Sequence, residues 1–341
     1  MPIGLTVSEE EFAAAKTDAD ILRFLVNFAV LAPSGHNTQP WLFRIGDRHL
    51  DLLADRTRAL PVVDPYDRAL TISCGAALEH LVIAGRRFGH ELIVEELPGS
   101  DPDHLATVRL GDRVATTAND IAMCRAIPDR RTTRTVYEQQ PLAPDLLEAC
   151  RQLAAGRGTE LRIVDEPGRR EEIAELVAKG DLAQFGDPAF RRELATWVHS
   201  RRAAAQDGMS GESFCLPDML SPVGALVIRT FDLGNGIAAA DRRKIAQGSP
   251  VLGVFSTPAD EPGDWLSAGR ALSRVLLKLT ASGATAAFLN QPIEVESLRP
   301  LLKEAIGTSC MPQLLMRFGY GPALKATVRR PVEDVVVPGC R

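Results

Sequence analysis

Ala32-Pro33-Ser34-Gly35-His36-Asn37-Thr38-Gln39-Pro40-Trp41 is the stretch whose reading decides the fold of this chain. It closes an apolar, helically spaced run from Ile21 to Leu31 and opens a strand-like one from Trp41 to Ile45. Its Pro, Ser, Gly and Asn therefore lie on a tight turn that offers backbone N–H groups and short polar side chains. Far downstream, Arg130-Arg131-Thr132-Thr133-Arg134 packs three guanidinium groups and two hydroxyls into five residues. Three fixed positive charges so close together call for an anion, and planar arginine forks suit a phosphate better than lysine does.

Outward from these two segments, Asp20 to Leu31 reads as a core helix, and Trp41–Ile45 with Leu50–Ala54 as a hairpin around Gly46-Asp47. The spacing then predicts a long helix over Ala69–Phe88 and strands over Glu91–Glu96 and Ala106–Leu110, an α+β half. A link from Thr116 to Pro128 leads to the arginines, followed by a helix over Asp145–Leu153 and a strand over Glu160–Val164. Residues 165–222 break the pattern with charged helices and the run Asp207-Gly208-Met209-Ser210-Gly211-Glu212-Ser213-Phe214. Gly, Met and Phe together suit an adaptable wall over a planar ligand, so this segment is expected to act as a lid, with a solvated surface excursion as the alternative. Beyond it the pattern predicts a strand over Leu226–Phe231, a helix over Ile237–Gln247, strands over Pro250–Ser256, Thr285–Leu289 and Gln313–Phe318, and a long helix over Trp265–Thr280.

That last helix repeats an earlier one. Ser73-Cys74-Gly75-Ala76-Ala77-Leu78 matches Ser267-Ala268-Gly269-Arg270-Ala271-Leu272 as S-x-G-x-A-L, displaced by 194 positions, and the same displacement carries Gly89 onto Gly283.

The turn and the arginine cluster resemble the nitroreductase family of FMN-dependent oxidoreductases, in which an RRSxR-like segment opens the domain and an APSxxNxQPW-like segment follows the next helix. In this chain the order is reversed, and the resemblance is closest to the longer, single-chain, Acg-like actinobacterial subgroup, which looks like a fused nitroreductase dimer. The first half keeps the APSGHN turn but has Leu5-Thr6-Val7-Ser8 where arginines are expected. The second keeps the arginines but has Ala155-Gly156-Arg157-Gly158 where the turn is expected. The resemblance thus implies an α+β, nitroreductase-like fold of two tandem pseudo-repeat halves, residues 1–115 and 116–341, forming an intramolecular pseudo-dimer with one composite site.

On this resemblance, Arg130, Arg131 and Arg329 meet the FMN phosphate, Thr132 hydrogen-bonds nearby and Arg134 lies toward the pyrimidine edge. Pro33, Ser34, Gly35, Asn37 and Gln39 close the cofactor from the other half, with fixing of the turn's backbone as the alternative role for Asn37, and the backbone at Leu289 and Asn290 faces the flavin ring. Asp241-Arg242-Arg243-Lys244 resembles a NERK-like stretch, of which only Lys244 carries over, and a solvated basic face is the alternative. His36, Met209 and Phe214 are expected in the substrate pocket. The implied chemistry is ping-pong reduction of nitro compounds, quinones or similar small acceptors by NAD(P)H, centred on the flavin, with no side-chain acid or base and no metal. A protein that binds FMN beneath a closed lid without turnover is the alternative from another class.

Gly234-Asn235-Gly236-Ile237-Ala238-Ala239-Ala240 fits a dinucleotide-binding G-x-G-x-x-[GA] loosely, following the strand expected over Leu226–Phe231 and opening the next helix, with a plain strand-to-helix turn as the other reading. Composition sets the outer bounds. A chain of 341 residues, 45% hydrophobic and 24% charged, has the length of two domains. A net charge of −5 argues against a general nucleic-acid binder. Met1-Pro2-Ile3-Gly4 and Ser8-Glu9-Glu10-Glu11 lack the basic start and apolar run of a signal peptide, and Arg23 and Asn27 interrupt the longest apolar stretch. A cytoplasmic protein without a membrane segment, competent as a monomer, is expected. Six scattered cysteines form no C-x-x-C pair, so neither a zinc site nor a disulfide framework is indicated.

Overall fold

The computed structural model describes residues 9–199, 205–210, 221–322 and 324–338. The first half runs α1 (Glu9–Ala14), α2 (Asp18–Ala29), β1 (Trp41–Ile45), β2 (Leu50–Ala54), α3 (Arg68–Arg87), β3 (His90–Glu96) and β4 (His104–Arg113), and α4 (Ala118–Asp129), which opens the second, packs back into the core of the first. The second continues with α5 (Pro144–Ala155), β5 (Glu160–Val164), α6 (Pro167–Gly186), α7 (Pro188–Thr196), β6 (Val198–His199), β7 (Met209–Ser210), α8 (Ser221–Thr230) and α9 (Gly234–Gly248). It closes with β8 (Val251–Thr257), α10 (Pro262–Ala281), β9 (Thr285–Phe288), α11 (Gln291–Glu294), α12 (Arg299–Ile306), β10 (Met311–Gly319), α13 (Val332–Val335) and β11 (Val336–Val337).

Two sheets carry the same plan. One orders its strands β11-β1-β2-β4-β3 and the other β5-β8-β10-β9. With β11 set aside, every neighbouring pair in both is antiparallel. The helices α3 and α10 begin and end 194 positions apart, and the glycines two residues past their ends, Gly89 and Gly283, have φ of 77° and 76°. Only a residue without Cβ takes that conformation readily.

The two long helices also form the contact between the halves. Gly75 lies against the Leu266 backbone, where a Cβ would come within 2.3 Å of the carbonyl oxygen. Gly269 lies against Ile72, where the same distance would be 2.0 Å. Leu266 stands 194 positions after Ile72, so the two contacts are images of each other, as in an isologous dimer interface. The apolar cores exchange the same pair: Leu266 packs in the first half's core and Ile72 in the second's. Burying these apolar faces is the main force holding the halves together. Glu79, fully buried on α3, accepts from Arg270 Nε and Arg157 Nη2, each at 2.8 Å, and from Arg274. Burial pushes its carboxyl up, and the three guanidinium groups more than offset this and hold it below the usual carboxylate range.

The chain then returns to its first half. β11 pairs in parallel with β1, Phe43 opposite Val336, which brings Arg329 and Arg330 back to the 32–41 turn. Cys74, Cys124 and Cys150 are buried thiols. Among the described residues no helix is long and apolar enough to cross a membrane.

The structure corrects three sequence expectations. Leu226–Phe231 is helical, not a strand: the run lies in and just past α8, whose Ile228 packs with Phe190 and Leu194 of α7, and burial there overrides β-propensity. The Gly234-x-Gly236 stretch consequently follows a helix, so the strand-turn-helix of a dinucleotide site is absent. The Thr116–Pro128 link is mostly the helix α4, started by a capping box between Thr117 and Asp120.

Candidate functional site

The 32–41 turn is held in an unusual backbone. His36, Asn37 and Gln39 have φ of 49°, 57° and 54°, left-handed values that cost side-chain-bearing residues free energy and recur at functional sites. Local hydrogen bonds fix it: Gln39 N–H donates to Ser34 Oγ at 3.0 Å, and Arg58 Nη1 to the Thr38 carbonyl at 2.8 Å.

Behind the turn stand three arginines from both ends of the second half. Arg130 Nη2 donates to the Leu31 carbonyl at 3.3 Å and Arg329 Nη2 to that of Ala32 at 3.4 Å. The Nε atoms of Arg130, Arg131 and Arg329 are buried without a hydrogen-bond partner. Burial lowers the Arg130 pKa to about 10, aided by Arg131, and that of Arg329 to about 9, aided by Arg130 and Arg131. Burial also lowers Arg131, and Asp129 beside it works the other way. Guanidinium groups that repel one another and leave buried N–H groups unsatisfied form a cradle for a multiply charged anion. His80, lowered to about 3 by burial and by Arg130, is neutral and uses Nδ1–H on the Phe28 carbonyl, 3.1 Å away, so it adds no cation.

In front of the turn lies a cavity of about 620 Å³, within the usual range of small-molecule sites. Pro33, Ser34, Gly35 and His36 form one wall, Arg134, Leu289 and Asn290 a second, and Lys244 with Asp241 a third. Phe185, Phe190, Leu194, Met209, Ile228 and Ile237 supply an apolar side. Thr132 holds the arginine segment beside β9 through a parallel bridge to Ala286. Arg134 reaches Met209 Sδ at 4.0 Å. Burial and the Arg134 charge lower the His36 pKa to about 4, so its imidazole is neutral, with Nε2 buried and unpartnered.

Expected residues of both halves thus meet in the cavity lining, whereas Arg130, Arg131, Arg329 and Thr132 lie outside that lining, the first and last of the arginines bonded to the backbone that leads into the turn, and two expected residues play other parts. The Asn37 side chain is spent on the protein: Oδ1 accepts from Arg329 Nη1, and Nδ2 donates to the Gly208 carbonyl, each at 2.9 Å. Gln39, fully buried and off the cavity wall, donates to the Gln206 carbonyl at 2.9 Å and accepts from Arg330 N–H at 2.8 Å. Both therefore fasten the turn to residues 206–208 and 329–330. Phe214 lies outside the described residues. Leu5–Ser8 does too. Asp181, Gln184 and Glu294 line the cavity and were missed by sequence reasoning. Asp181 had a legible sign: Ile173, Val177 and Asp181 follow one another at four-residue spacing on the buried face of α6.

Among the described residues no group of three or more His, Cys, Asp or Glu is placed to hold a metal ion. No family model matches the chain. A Mycobacterium tuberculosis protein provisionally named NAD(P)H nitroreductase Rv3131 is 32% identical over 325 residues, covering 94% of this chain and 92% of its own. The provisionally named NAD(P)H nitroreductase acg of the same organism is 30% identical over 334 residues, with 93% and 95% covered. A solved FMN- and NADPH-dependent nitroreductase, NfnB from a Sphingopyxis strain, superposes with a TM-score of 0.44 at 15% identity, over 63% of this chain and 97% of its own. On the identity to those relatives over nearly its whole length, the chain belongs to the Acg-like nitroreductase family.

Proposed function

We propose that this chain is an FMN-dependent oxidoreductase that takes electrons from NAD(P)H and passes them to a small acceptor such as a nitro compound or quinone. The observation that carries the reading is the arginine cradle bonded to the backbone that leads into the cavity-lining turn: three buried, unpartnered Nε–H groups with no carboxylate acting on Arg130 or Arg329 fit a phosphate dianion. Bound there, FMN would supply a centre that accepts two electrons and yields them to a second compound. Arg130, Arg131 and Arg329 would hold the phosphate, with Asn37 orienting Arg329. Arg134 would present a cation toward the ring, favouring a reduced, more negative state, and Lys244, its charge paired with Asp241, would contribute as a hydrogen-bond donor in the same wall. Ser34, Gly35, Leu289 and Asn290 would close the ring's surroundings, and the apolar side of the cavity would exclude water. No step requires a side-chain base.

Residues 1–115 and 116–341 are the two halves of this proposed unit, α4 from the second packing into the core of the first, and the described residues of the proposed lid 165–222 touch the first half. Glu193 of α7 accepts from the Val62 and Val63 N–H groups at 2.8 and 3.0 Å, and Arg58 pairs with Asp207 at 2.8 Å. These latches favour a second reading, FMN held under a lid that bars nicotinamide. The test is flavin retention. Arg130→Ala with Arg131→Ala is expected to weaken FMN binding by roughly 10- to 150-fold per lost charge-assisted contact. Wild type should carry one FMN per chain. Unchanged flavin content in the double variant after dialysis would refute the phosphate assignment, and yellow protein that NADPH fails to bleach anaerobically would favour the second reading.

A further inference from the structure

The end of the cavity formed by α6, α9 and α11 has the opposite character to the arginine cradle. Asp181 is 1% exposed and lines the cavity. Its Oδ1 accepts from Gln291 Nε2 at 3.0 Å, and its Oδ2 has no partner. Gln291 Oε1 in the same wall is also unpartnered. The charged groups bearing on Asp181 are Asp241 and Lys244 from α9 and Glu294 from α11. Lys244 is already committed to Asp241 Oδ1 at 2.9 Å, and Glu294 is held by Gln184 Nε2 at 2.7 Å. Glu294 also has the Arg68 guanidinium acting on it, so Asp181 and Asp241 share the one Lys244 ammonium, and the unsatisfied atoms of this wall, Asp181 Oδ2 and Gln291 Oε1, are acceptors.

A buried acceptor left without a donor is costly, and a buried carboxylate without a cation more so. The unsatisfied groups thus specify what they lack: a donor, and for the charge balance a positive one. We propose that this end of the cavity is a subsite for a basic nitrogen, an amine or amidine carried on an aromatic or apolar body, which Asp181 engages through Oδ2. The apolar side, with Phe185 and Phe190, suits such a body, and a cation settling between these carboxyls restores the missing charge. Burial and the neighbouring Asp241 raise the Asp181 carboxyl to about 7, which is the condition of a carboxyl awaiting a cation. The proposal names the acceptor class for the flavin reading above and rests on it.

Benzamidine, its neutral isostere benzamide and the anion benzoate test this by calorimetry on the full-length chain as purified, with FMN retention measured alongside. Benzamidine is expected to bind about tenfold or more tighter than benzamide, as a charge-assisted hydrogen bond implies. Benzoate is expected to bind weakest, and Asp181→Asn to abolish the preference for the cation. On wild type the preference should grow as pH rises through about 7, because benzamidine stays charged while Asp181 ionises. Equal binding of benzamidine and benzamide to wild type, or a preference that survives in Asp181→Asn, overturns the subsite. Loss of FMN from Asp181→Asn also overturns it, assigning the carboxyl to the cofactor. Failure of wild type itself to hold FMN, with the cation preference intact, would instead sink the flavin reading and leave the subsite standing.

Discussion

Substituting alanine for Gly75 or Gly269 puts one methyl group between the two long helices, and the structure fixes what it meets. At Gly75 the new Cβ falls 2.3 Å from Leu266 O and 3.1 Å from Leu266 C. At Gly269 it falls 2.0 Å from Ile72 O, 2.8 Å from Ile72 C and 2.9 Å from Ala76 N. All these atoms are backbone, so no rotamer change relieves the overlap and the helices must separate. Alanine gains about 1 kcal/mol over glycine in helix propensity. Overpacking a well-filled core costs about 1–3 kcal/mol, occasionally more, and separation here also loosens the packing of Leu266 and Ile72 in the two cores. A net loss of about 1–2 kcal/mol at either position is therefore expected, which in urea lowers the midpoint by about 0.5–1 M for a slope near 2 kcal/mol/M. The double variant should lose less than the sum, because one separation accommodates both methyls. Gly186→Ala, with nothing within 4 Å of the added atom, is the matched control and should be neutral or slightly stabilising. Unfolding of Gly75→Ala and Gly269→Ala at or above the wild-type urea midpoint would refute the close helix approach.

Two further outcomes follow from buried carboxyls. Glu79→Gln leaves Arg157, Arg270 and Arg274 around a neutral amide and should cost about 3–5 kcal/mol at pH 7. Because the folded carboxyl titrates below its usual range, that contribution is present above about pH 4 and is lost as pH falls through the lower folded value. Denaturation midpoints of variant and wild type should thus converge in acid, and a pH-independent gap would count against the network. Asp181→Asn should act in reverse. Wild-type Asp181 titrates near 7, above an unfolded value of about 3.9, so its ionisation erodes stability as pH rises between the two. At about 1.4 kcal/mol per unit the variant should gain about 4 kcal/mol by pH 8 and almost nothing at pH 4. Equal thermal midpoints at pH 8 would refute the shift.

Much of this architecture was legible where local pattern and tertiary role agree. The S-x-G-x-A-L match located both long helices, and its glycines proved to be the positions where the helices touch. The Ala32–Trp41 turn and the arginine cluster were legible because their chemistry is concentrated in a few consecutive residues. What escaped was set by partners distant in sequence. Ile228 turned a β-branched run into helix by packing against α7, which no local period reveals. Asn37 and Gln39 read as ligand contacts, yet their amides join Gly208, Gln206, Arg329 and Arg330, pairings that exist only once the insertion and the chain's return to β1 are in place. The Thr117–Asp120 capping box was visible and marks α4, but the polar composition around it resembled a linker.

The helix-to-helix seam has a consequence for how this molecule can change. In a homodimer every interface substitution appears twice, so a residue tolerated on one side must also be tolerated on its image. Here Ala76 and Arg270 occupy equivalent positions 194 apart, and only one of them is charged. That single arginine reaches Glu79 of the other half at 2.8 Å, and the equivalent of Glu79 is Ser273, whose hydroxyl donates to the Ala76 carbonyl at 3.0 Å. Covalent joining has thus released the seam from symmetry. Each mutation is sampled once, one side can take up an ion pair while the other keeps a small neutral contact, and the same licence extends to the halves themselves, one contributing a turn and the other a cradle.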